Sequence, residues 1–283
     1  MFERMDRSWA LVKASADVLL KDQSLVMFPF FSGISVLLVI ATFALPLGGF
    51  DTLNQVSDGG GDAVMESHFL ALFAFYLTQY FVIFFFNTAL VGAAMLRLDG
   101  GDPTVADGIK LAASKLFTIL GYAMIAATVG MVLRAIQERV GIVGQIVAGM
   151  IGVGWTLATY LVVPVLAARD VGPFEAISES AELFKKTWGE NVIGQAGLGL
   201  AFGLIYFGVI MCGGLVLFMA VGMHSLPLIV MSVIFTVGAF LIVTLVHAAL
   251  TGIYAAALYR YATDTKSTGS FDSAALEQAF APK

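Results

Sequence analysis

Six apolar runs, each close to or beyond the length needed to cross a bilayer, constrain this chain more than any other feature. They cover 25–47, 69–96, 116–133, 142–168, a stretch within 191–221, and 226–258. A helix crossing the hydrocarbon core needs about 20 mainly apolar residues. Of the 283 residues 59% are hydrophobic and 12% charged, and mean hydropathy is +0.91. A soluble domain carries about 25% charged residues, so one soluble core cannot hide this much apolar surface. With the bilayer as solvent, backbone N–H and C=O groups must be paired inside each segment. The expected fold class is therefore an all-α integral membrane protein with six transmembrane helices.

The segments between the runs are not plain loops. In 173–188, Phe174, Ile177, Ala181, Phe184 and Trp188 recur at helical spacing, with Glu175, Glu179, Glu182, Lys185 and Lys186 off that stripe. This reads as an amphipathic helix that lies in the membrane interface or packs against the spans beside it. Residues 1–24 repeat the element, with Met5, Trp9, Val12, Ala16 and Leu19 on one stripe. A third version carries Val105, Ile109, Ala112 and Leu116, with Asp102 suited to the N-cap and Pro103 to the first helical position. Ser15, Ser114 and Ser180 occupy comparable places in the three. The chain thus reads as a pseudo-threefold repeat: three hairpins of spans, each preceded by a cytoplasmic amphipathic helix, in units of about 1–96, 97–168 and 169–261. These form one membrane domain, followed by a polar tail over 262–283.

Several spans carry their own signals. The acidic, Gly-rich 50–67 is a flexible loop. At 1.5 Å per residue the second run reaches roughly 40 Å, more than the bilayer needs, so it should tilt or protrude. Pro164 should bend the fourth. Gly144, Ala148, Gly152 and Thr156 form a small-residue ladder in the fourth span, and Ala248, Gly252 and Ala256 another in the sixth. Such ladders permit close helix approach and give a face for a homo-oligomer. The many glycines of the fifth span suit close packing or local breaks.

Charge sets the orientation. Of 15 Lys and Arg, only Arg134 and Arg139 fall outside the N-terminal, 97–115, 169–190 and C-terminal segments. The positive-inside rule then places both termini and the three short helices in the cytoplasm. A net charge of −5 argues against nucleic acid as a partner.

No catalytic constellation occurs. His68, His224 and His247 are too scattered for a metal or hydrolase motif, and no phosphate-binding loop is present, so the chain does not power itself with ATP. Neither a cofactor nor a metal is expected, and the chain is not expected to be an enzyme. No Asp or Glu lies deep in a span, where ion-coupled pumps usually keep one. The polar residues inside the spans are Gln79, Asn87, Thr159, Gln195 and His247. They either line a path or pocket for a polar solute or hydrogen-bond between helices. Arg97, Arg169 and Arg260 close the even-numbered spans; they either contact lipid phosphate or anchor the helices at the interface.

Phe2-Glu3-Arg4 with Ser8-Trp9, Gly100-Gly101-Asp102-Pro103-Thr104, and Lys185-Lys186-Thr187-Trp188-Gly189 together resemble an uncharacterised family of prokaryotic six-span membrane proteins, catalogued as a domain of unknown function. The resemblance implies a prokaryotic cytoplasmic membrane and brings no catalytic residues. The layout is also similar to the membrane domains attached to some glycerophosphodiester phosphodiesterases. The expected function is a non-ATP-driven conduit or carrier for a small solute or lipid, with a non-catalytic, partner-recruiting scaffold as the alternative. Membrane lipids are expected as partners, a second copy can add itself through the small-residue faces, and the sequence identifies no other protein partner.

Overall fold

The computed structural model describes residues 2–44, 61–139 and 141–264, with side chains within 11–43, 69–137, 144–189 and 191–263. Among these residues every element is helical. In order they are α1 (Phe2–Lys21), a 3-10 turn (Gln23–Val26), α2 (Met27–Ala44), α3 (Gly61–Leu98), α4 (Val105–Ser114), α5 (Leu116–Arg139), α6 (Ile142–Thr159), α7 (Val162–Ala168), α8 (Pro173–Gly222) and α9 (Leu226–Asp264). Six segments, 23–43, 69–98, 116–137, 144–168, 191–222 and 226–263, are long and apolar enough to cross a membrane. The part of the acidic loop over 50–60, the tail from 265 on, and the side chains of Met5 and Trp9 lie outside the described residues. Residues 61–67, expected in that loop, already belong to α3.

α3 is the centre of the bundle: α2, α4, α5, α7 and α9 all pack on it. The packed core gathers at one end. It takes Leu11 and Val18 from α1, Leu90 to Met95 from α3, Leu161 to Leu166 beside α7, and Ile253 to Leu258 from α9. The far halves, such as 199–247 of α8 and α9, leave most of their large apolar side chains exposed. Such exposure suits a lipid surround.

Each short helix is anchored differently. α1 packs on α8 and α9. α4 lies on α3, and its cap differs from the expectation. The N-cap is Thr104, not Asp102, because Thr104 and Asp107 form a reciprocal capping box. The Thr104 hydroxyl and backbone N–H hold the Asp107 carboxyl below its ordinary pKa. Asp102 instead receives Arg97 at 2.5 Å. α4 also stops at Lys115 rather than running into α5.

The third short helix is not separate. α8 runs unbroken for 50 residues from Pro173 through the fifth span. Its buried line is Ala176, Ser180, Leu183, Thr187, Asn191, Leu198 and Phe202, one position back from the expected stripe at its start. Phe174 and Trp188 are 75% and 55% exposed. Small side chains face inward because they let α8 approach α1, α7 and α9 closely. Ser15 and Ser180 are both buried, whereas Ser114 is exposed, so the three serines are not equivalent.

The fourth span breaks at Tyr160 and Leu161 into α6 and α7. The break sits where Pro164 demands it: the ring clashes with the carbonyl four residues back, and proline has no N–H to offer it. The Leu161 N–H, outside the helix ladder, donates to the buried Ser180 hydroxyl at 3.0 Å. Of the expected ladders, Ala148 alone is buried in the fourth span, and Ala248 is exposed in the sixth. A Cβ at Gly152 would make only ordinary contact, 3.8 Å from Leu133. The tight approaches include Gly252 on Leu90, Gly194 on Tyr254, Gly213 on Thr236 and Gly108 on Phe28 and Ala89. The fifth span has no break despite its glycines.

Ion pairs staple the packed end. Arg260 grips Asp99, one of the two contacts at 2.8 Å, and Lys115 grips Asp170 while donating to the Arg169 carbonyl at 3.0 Å. These pairs are partly exposed, so each contributes little. A double-mutant cycle on Arg260→Ala and Asp99→Ala should show coupling below about 1 kcal/mol that fades with salt. A larger, salt-insensitive coupling would show that the pair is desolvated.

Candidate functional site

The break between α6 and α7 forms the floor of a cleft among α3, α5 and α6, about 720 Å³ in volume. Tyr80 and Phe84 on α3 stack with centroids 5.7 Å apart, and Phe84 meets Tyr122 of α5 at 4.5 Å. Trp155, Thr159 and Tyr160 line the side formed by α6. Thr159 donates its hydroxyl to the Trp155 carbonyl at 2.8 Å and faces the Tyr122 hydroxyl. The Tyr160 hydroxyl accepts a hydrogen bond from the Gln195 amide of α8. Among the residues lining the cleft none is charged. A second cleft, about 790 Å³, runs between α8 and α9 beside Gly208, Cys212, Met219, Met231 and Phe235.

Of the five polar residues singled out from sequence, the structure brings two together. Thr159 and Gln195 meet through adjacent positions at the break, Gln195 by way of Tyr160. Gln79 is half-buried, with its side-chain oxygen unpaired, and is not among the residues lining the cleft. His247 belongs elsewhere: it stacks on Phe202 at 4.3 Å and 13°, and its Nδ1 lies 3.5 Å from the Tyr206 hydroxyl. Asn87, read as a polar residue lining the interior, is exposed. It lies one turn before the place where α3 closes on α9, and it alone of that turn is exposed. The five do not form one polar track.

The tyrosines were missed because tyrosine in an apolar run reads as apolar. The available signal was depth. Tyr80, Tyr122 and Tyr160 fall well inside their apolar runs, away from the ends where membrane tyrosines concentrate. A hydroxyl at that depth needs a partner.

The three arginines all have protein carboxylates beside them. Arg97 meets Asp102 at 2.5 Å, Arg169 meets Glu179 at 2.5 Å, and Arg260 meets Asp99. Glu179 raises the Arg169 pKa further, so that guanidinium is firmly cationic. A lipid phosphate at these positions competes with a carboxylate already in place. No group of three or more metal-ligating side chains is placed to hold an ion among the described residues.

Residues 66–270 match a family of unknown function, DUF6159. The Gly100–Thr104 and Lys185–Gly189 segments fall inside that stretch and the Phe2–Trp9 segment outside it. No curated protein and no solved structure matches the chain.

Proposed function

This chain belongs to the DUF6159 family of unknown function, and from that premise we propose that it is a non-catalytic, ATP-independent membrane protein that holds or carries an uncharged lipid. The observation that carries this reading is the cleft among α3, α5 and α6. Its volume suits part of a lipid, its walls are aromatic and aliphatic, and its lining carries the hydroxyls of Tyr80 and Tyr160 besides the mutually engaged Tyr122 and Thr159. A phosphate head would find no counter-ion among the lining residues. A glyceride-like hydroxyl or ester carbonyl would find hydrogen-bonding partners, and this favours lipid over polar solute as the occupant. In the same reading the protein sits in a prokaryotic cytoplasmic membrane, with both termini and the packed end on the cytoplasmic side. The three-unit repeat describes its layout, each unit being a short helical segment followed by a hairpin. The scaffold alternative is favoured by the close apolar packing of the end that carries the ion pairs.

A photoreactive diacylglycerol in nanodiscs distinguishes the two. It should label peptides containing Tyr122 or Trp155, and Gly149→Phe should reduce that labelling at least tenfold. A Cβ at Gly149 has nothing within 4 Å, so the substitution begins without a backbone clash and adds a ring to the wall of the cleft. Gly208→Phe, in the second cleft, should leave the labelling unchanged. Labelling that is indifferent to Gly149→Phe, or equally strong with a photoreactive phosphatidylglycerol, sinks the reading.

A further inference from the structure

Between residues 71 and 95 of α3, the helix on which most others pack, Asn87 alone is exposed. Its carboxamide has no hydrogen-bond partner among the described residues. Arg97, at the packed end, lies ten residues further on, about 15 Å along the helix. Half of a roughly 30 Å hydrocarbon core is the same distance. The amide therefore lies near mid-bilayer, where acyl chains offer neither donor nor acceptor and lipid ester groups are out of reach. Two N–H donors and one carbonyl left bare at that depth are costly.

The contact between α3 and α9 fixes the level of this amide in the bundle. One turn further along α3, Leu90 closes on Gly252 of α9, where an added Cβ would lie 2.5 Å from Leu90 Cδ2. The Arg260–Asp99 pair brings the ends of α3 and α9 together, so the two helices run in the same direction. One turn back from the contact, near Asn87's level, Ala248 of α9 is also exposed. Thr244, the next polar side chain back along α9, donates to the Phe240 carbonyl at 2.8 Å and faces the Tyr206 hydroxyl of α8 at 3.3 Å, so it offers Asn87 nothing. At this level the exposed positions of the two helices are the Asn87 amide and the small Ala248 side chain.

We propose that the chain forms a two-fold dimer in the membrane, with Asn87 of one copy bonded to Asn87 of the other at the centre of the contact. A carboxamide is both donor and acceptor, so two related by a two-fold axis satisfy each other. Polar side chains act in this way between membrane helices, and a single asparagine can set register and partner number in a helical interface. The inference does not depend on what occupies the cleft.

The test uses full-length protein in proteoliposomes. Asn87→Cys in a Cys212→Ala background should give a disulfide dimer on mild oxidation, whereas Leu215→Cys, also exposed, should not. By single-molecule photobleaching, Asn87→Leu should raise the dimer dissociation constant about tenfold and Asn87→Gln much less. At protein densities low enough for the wild type to be monomeric, the melting temperature should not fall, because the amide bonds nothing within its own chain. A wild type that is monomeric at every protein density, cross-linking at Leu215 as ready as at position 87, a dimer indifferent to Asn87→Leu, or association only with a different protein would each overturn the proposal.

Discussion

Gly108→Ala should destabilise the protein by about 2 kcal/mol, and Gly108→Leu should leave little folded protein at all. A Cβ at this position in α4 would lie 2.6 Å from the Phe28 ring and 2.7 Å from the backbone oxygen of Ala89. Phe28 is in the packed core, and Ala89 is backbone in the middle of α3, so neither can swing aside. In a helix interior, glycine to alanine normally gains about 1 kcal/mol of propensity. Here the clash outweighs that gain, and α4 must lift from α3. Gly203→Ala serves as the control, since a Cβ there meets nothing within 4 Å and should be neutral or slightly stabilising. Heating in detergent followed by size-exclusion chromatography compares them. Equal melting of Gly108→Ala and wild type would mean that α4 does not sit against α3 as described.

Ser180→Ala should cost about 1–3 kcal/mol, the penalty for a buried N–H left without an acceptor. The donor is Leu161, which the Pro164 break removes from the helix ladder and which reaches the Ser180 oxygen at 3.0 Å. Ser15 is equally buried, but its hydroxyl donates to the Leu11 carbonyl of its own helix at 2.7 Å. That carbonyl keeps its other partners, so Ser15→Ala should cost clearly less. Amide exchange at Leu161 should quicken in Ser180→Ala and remain unchanged in Ser15→Ala. If both variants lost the same stability, burial of a serine rather than capture of the Leu161 N–H would be the operative term. The contact matters for the site because it holds the kink whose neighbours, Thr159 and Tyr160, form the cleft floor.

Part of the candidate site was legible in the residues alone. Thr159 and Gln195 stood out as polar groups in apolar runs, and both lie at the α6–α7 break. Their convergence was not legible, because Gln195 reaches the site only through Tyr160, 35 positions earlier in the chain. His247 had the same sequence signal, yet it packs between α8 and α9 against Phe202. Polarity within a span marks a residue that needs a partner; it does not say which helix supplies one. Asn87 takes this further, since its partner is absent from the chain's own described residues.

Run length by itself determined that six helices here can cross a bilayer, because hydrocarbon thickness sets a minimum number of apolar residues. Pro164 likewise determined that the fourth span could not stay a regular helix. Only the tertiary structure decided which side of each helix is packed. In a soluble helix the hydrophobic stripe marks the packed face. In a lipid-solvated helix both the packed and the lipid-facing sides are apolar, and lipid tails compete with leucine on equal terms. Size and hydrogen bonding then choose the face. In α8 the small and polar Ala176, Ser180, Thr187 and Asn191 turn inward, and the larger Phe174 and Trp188 turn outward, the reverse of what their hydropathy suggests.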